Sequence, residues 1–128
     1  MEKFCSSVVL GAPCTVIRDN AVKVAVCTSL TTNTVANVQA SMLAETGLTT
    51  GASTSWTLAD SSVSGRKITM TAQSSIAIAT TGVAKNIALY SSVSNLVYYV
   101  TNCTTQALVS TNNKVTIPAF SMHFYDAT

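Results

Sequence analysis

The sequence is short of charge: only 9% of its 128 residues are Asp, Glu, Lys or Arg, against about 25% in an ordinary soluble domain. The five carboxylates, Glu2, Asp19, Glu45, Asp60 and Asp126, are widely separated. They form neither a calcium loop nor the close pair of acids that glycoside hydrolysis requires. The seven basic residues are scattered too, with Arg66-Lys67 the one adjacent pair. A nucleic-acid partner needs a basic cluster with stacking aromatics beside it, so no nucleic acid is expected. Histidine occurs once, as His123 in Phe120-Ser121-Met122-His123-Phe124-Tyr125. A general base needs a positioned nucleophile and an orienting group, and the sequence has a signature for neither. His123 therefore reads as a partly buried or interface residue. The glycines stand too far apart to build a phosphate cradle. No catalytic residue, metal ligand set or cofactor is expected, and the chain reads as a protein without enzymatic activity.

Long apolar runs are missing as well. No stretch approaches the roughly 18 residues of a membrane span, so no membrane partner is expected. Cys5, Cys14, Cys27 and Cys103 make an even count, but their spacings fit neither a Cys-x-x-Cys pair nor a zinc pattern. Free buried thiols are the favoured reading, because Cys27 ends an apolar strand and Cys103 follows one. A disulfide framework would suit a secreted protein. The apolar piece at residues 4–12 is short for a signal peptide.

What the sequence does have is 48% hydrophobic residues set among abundant Ser and Thr. Few charges leave little repulsion between copies, so such a chain either relies on hydroxyls for solubility or covers its surface with partners. Apolar residues alternate with Ser, Thr and Ala at period two from Asp60 to Ala119, the pattern of strands with one face toward a core. The predicted core sets are Ile68 with Met70 and Ala72, Ile76 with Ile78, Ile87 with Leu89, Leu96 with Tyr98 and Val100, Val115 with Ile117, and Phe120 with Met122 and Phe124. An earlier strand spans residues 21–28, with Val22, Val24 and Val26 on one face, and Trp56 and Leu58 dock into the core.

Residues 1–20 show no sustained period and read as an N-terminal arm or edge segment. Residues 29–57 read as a long loop, with a strand or single helical turn around Val38 to Ala44. The fold class is all-β: a single-domain β-sandwich or jelly-roll-like domain over residues 21–128, with about seven to nine short strands. Residues 80–82, 91–95 and 110–113 read as hairpin loops. Ala88, Tyr90, Val97, Tyr99 and Tyr125 are expected to point away from the core. Uncharged aromatic strand faces are candidates for subunit contact, unless the N-terminal segment or the long loop covers them. The candidate interface thus comprises Phe4, Val8, Val9 and Leu10 of the arm with Tyr90, Val97, Tyr99 and Tyr125.

Four pieces of the sequence carry a likeness to known proteins. They are Asp60 with Ser64-Gly65-Arg66-Lys67-Ile68-Thr69, then Gly82-Val83-Ala84-Lys85-Asn86-Ile87-Ala88-Leu89, then Leu96-Val97-Tyr98-Tyr99-Val100-Thr101-Asn102-Cys103-Thr104-Thr105-Gln106-Ala107-Leu108, and Val115-Thr116-Ile117-Pro118-Ala119. Through them about half the chain resembles a family of small virion structural proteins of tailed bacteriophages. The string from Tyr99 to Leu108 is the most specific piece. Family members often end in a more acidic strand, whereas residues 120–125 here are aromatic and uncharged. The resemblance implies a virion component assembled in the host cytoplasm, foremost a capsid decoration or cement protein. Its partners would be the major capsid protein and copies of itself, as a homo-oligomer in a symmetric assembly. A tail, collar or head-fibre subunit fits the same sequence. A secreted carbohydrate-binding module is the third reading, with Trp56 and the tyrosines as stacking platforms.

Overall fold

The computed structural model describes residues 7–51, 55–60 and 65–124. Two helices and nine strands occur among them, in the order α1 (Ser7–Asn20), β1 (Lys23–Cys27), α2 (Val35–Ser41), β2 (Met42–Gly47), β3 (Trp56–Asp60), β4 (Arg66–Met70), β5 (Gln73–Ala77), β6 (Gly82–Ser91), β7 (Leu96–Leu108), β8 (Lys114–Ile117) and β9 (Phe120–Phe124). Every strand pair is antiparallel. The all-β, sandwich-like class read from the sequence is therefore correct. The chain forms two compact units interleaved along the sequence.

One unit comprises Met1–Asn20, Thr49–Ala72 and Pro118–Thr128. Its sheet has the order β3-β4-β9, with Trp56 opposite Met70 and Met70 opposite Phe120, then Leu58 opposite Ile68 and Ile68 opposite Met122. Trp56, Ile68, Met70 and Met122 are buried. Of the alternate residues, Thr57, Lys67, Thr69, Ser121 and His123 are polar and Ala59 is not, and Thr69 and Ser121 share a hydroxyl hydrogen bond of 2.7 Å. Alternation of this kind in the middle of the sheet is what one buried face requires, and Ile68, Met70 and Met122 lie on the face expected from the sequence. Gly65, at φ 91°, takes the left-handed conformation that leads into β4.

Helix α1 packs on this sheet and buries Cys14 and Ile17. The sequence shows no helical period there because Gly11 and Pro13 both disfavour a helix interior. Pro13 has no N–H to give to the preceding turn. Packing overrides that local preference, as it does for most short helices. At the end of the helix the Asn20 amide donates to the Val16 carbonyl at 2.8 Å, satisfying one of the last-turn acceptors. Residues 7–20, expected as an arm or edge segment, are thus a packed helix.

The other unit comprises Ala21–Leu48 and Gln73–Ile117. It holds a four-stranded sheet in the order β2-β1-β6-β7 and the two-stranded pair β5-β8. Ile78 bridges to Ala44, and the Ala79 and Thr80 N–H groups donate to the Leu43 carbonyl, so the outer side of β2 is partly covered. Only one of the three expected hairpins joins paired neighbours: residues 91–95 turn β6 into β7, with Asn95 at φ 55°. The segments at 80–82 and 110–113 instead carry the chain between the two sheets of this unit, because β5 pairs with β8.

The expected long loop at 29–57 holds α2 and β2. Thr34 caps α2, its Oγ1 accepting from the Asn37 N–H at 3.2 Å, and the Asn37 side chain accepts in turn from the Thr31 and Thr32 N–H groups. Val35 and Val38 of α2 pack with Ala25, Cys27, Ala88 and Tyr90 into one cluster, joined by Leu30, Met42, Val97 and Val100. This corrects the sequence reading of β6. Ala88 and Tyr90 were expected to point outward, yet every residue from Ile87 to Ser91 is buried, because α2 and Leu30 cover the second face of the sheet. Tyr90 is only 1% exposed.

Candidate functional site

β7 occupies an end of the four-stranded sheet, with β6 its one strand neighbour among the described residues. Its sequence, LVYYVTNCTTQAL, contains no charge and no proline over 13 residues. Proteins ordinarily guard a sheet edge with Lys, Pro, very short strands or a covering element. None of the sequence-borne guards is present here. At about 3.4 Å per residue the strand runs for roughly 44 Å, and from Asn102 to Ala107 most of its side chains are exposed.

Two irregularities shape the β6-β7 ladder. Near the hairpin, Leu89 pairs with Tyr99 while Tyr90 pairs with Val97, so β7 holds one extra residue. Consecutive residues of β6 point to opposite faces, and their cross-strand partners follow them. Val97 accordingly packs with Tyr90 against the α2 cluster, and Tyr99 goes with Leu89 to the other face. The second shift lies between Ala84 and Asn86, opposite Gln106 and Asn102. There the Asn86 amide donates to the Asn102 Oδ1 at 2.9 Å, and Asn86 Oδ1 accepts from the Leu30 N–H.

The large apolar residues most exposed among those described are Val16, Val83, Val93, Leu96 and Val109. All but Val16 lie on the β6-β7 ribbon or the residue that follows it. Val93, 90% exposed, tips the hairpin, with Leu96 beside it at 54%; Val83 at 42% and Val109 at 51% stand at the far end. Beside that far end an open groove separates β7 from β8, lined by Ile78, Gln106, Leu108, Asn113, Lys114 and Thr116.

Titratable groups gather elsewhere in the unit. The Tyr90 hydroxyl donates to Glu45 Oε2, and Lys23 Nζ lies 3.3 Å from Glu45 Oε1. Burial first, then the bond to Glu45, holds the Tyr90 phenol well above its ordinary range. Burial pushes the Cys27 thiol up to about 11, with Cys103 and Glu45 adding to the effect. Burial also raises Cys103 here, and in the other unit it raises Cys14 against the opposing pull of Arg66. All three are free thiols, and a thiol held protonated is a poor nucleophile. Among the described residues no group of three or more His, Cys, Asp or Glu is placed to hold a metal ion. No described helix is long and apolar enough to cross a membrane.

The sequence-predicted contact residues fall on different elements of the chain. Phe4 and Tyr125 lie outside the described residues. Val8, Val9 and Leu10 fall in the first half of α1, Tyr90 is in the core, and Val97 and Tyr99 are half-buried on opposite faces of β7. The edge itself was missed. Its signal in the sequence is length without charge, from Leu96 to Leu108, together with apolar residues just outside each end. Comparison of the chain with protein-family models, with curated proteins and with solved structures finds no match.

Proposed function

We propose that this chain is a structural subunit of a tailed-bacteriophage virion, and within the virion a decoration or cement protein that binds the assembled head shell. Its partners are the major capsid protein and further copies of itself. The observation that carries this reading is one of position. The run from Tyr99 to Leu108, the most specific part of the likeness to phage structural proteins, coincides with β7, the uncharged strand at the end of its sheet. A strand of that kind is suited to contact with other protein surfaces and has no evident use in a chain that acts alone.

Low charge and exposed apolar residues support the same reading. Subunits repeated by symmetry can bind through many weak, nonpolar contacts, since each contact made raises the effective concentration for the next. Electrostatic steering, of which a surface with few charges supplies little, is not required for that.

The test is the copy number and position of the chain in purified particles, by quantitative mass spectrometry joined to electron microscopy. Hundreds of copies spread over the head are expected. A dozen or fewer at one vertex would make it a collar or tail subunit, and absence from particles would end the virion reading.

A further inference from the structure

We draw no further inference here: the strongest candidate, the exposed apolar tip of the β6-β7 hairpin at Val93 and Leu96, carries nothing because nothing in the structure shows what covers it.

Discussion

The Tyr90 hydroxyl on β6 donates to the Glu45 carboxylate on β2, across the intervening β1. Lys23 of β1 reaches the other carboxylate oxygen at 3.3 Å, so each of three adjacent strands contributes one member of the chain. The two contacts should differ in worth. The Lys23 and Glu45 side chains are partly exposed, and such pairs are worth about 0–1 kcal/mol, whereas Tyr90 is buried. Glu45→Ala leaves its hydroxyl without that acceptor and should cost about 1–3 kcal/mol in urea unfolding. Lys23→Met should cost less. In a Tyr90→Phe background the Glu45→Ala penalty should shrink, and an unchanged penalty would mean that the hydroxyl contact contributes nothing.

Cys27 should set an alkaline limit on stability. Its thiol is held protonated up to about 11 in the fold, against 9.0 for an ordinary thiol. A folded pKa above the unfolded one gives stability that is fully present below the unfolded value and lost as pH rises through the folded one. Unfolding free energy should therefore fall between about pH 9 and 11, by on the order of 2 kcal/mol from this group. Cys27→Ala should flatten the decline in that window. Tyr90, whose phenol is also raised, adds to the fall above about pH 10, so the contrast between wild type and variant is the quantity to read. Equal slopes would contradict the assignment.

The Thr34 cap is the third point of test. Thr34 is extended, at φ −113° and ψ 150°, and its hydroxyl holds the start of a helix only seven residues long. Thr34→Ala should cost about 1 kcal/mol, and Thr34→Ser close to nothing. Faster amide exchange should follow at Val38, whose N–H bonds to the Thr34 carbonyl at 3.0 Å. If exchange there is unchanged, α2 is held by its valines alone.

These same residues show what could be read in the sequence. In β3, β4 and β9 one face is buried, so Trp56, Ile68, Met70 and Met122 announce themselves by alternation. β6 is buried on both faces, and alternation cannot distinguish Ala88 and Tyr90 from solvent-facing residues when a seven-residue helix covers them. That helix leaves a faint trace: Thr34 as cap, with Val35 and Val38 three apart. In β7 the extra residue near Tyr98 spaces Val97 and Val100 by three on one face, against the period of two that put Val97 with Tyr99. The helix at 7–20 was hidden by Gly11 and Pro13, whose local cost its burial of Cys14 and Ile17 offsets.

Interleaving of the two units sets an order on the growing chain. β4 is the middle strand of its sheet, yet one of its neighbours, β9, is the last described strand, while the other unit's segments end at Ile117. During synthesis the four-stranded sheet can close while β4 still has an open side. A stall or cleavage after Ile117 would release a chain with one finished sheet and one unfinished edge, and that edge, bearing Ile68 and Met70, would be the part a chaperone or protease meets.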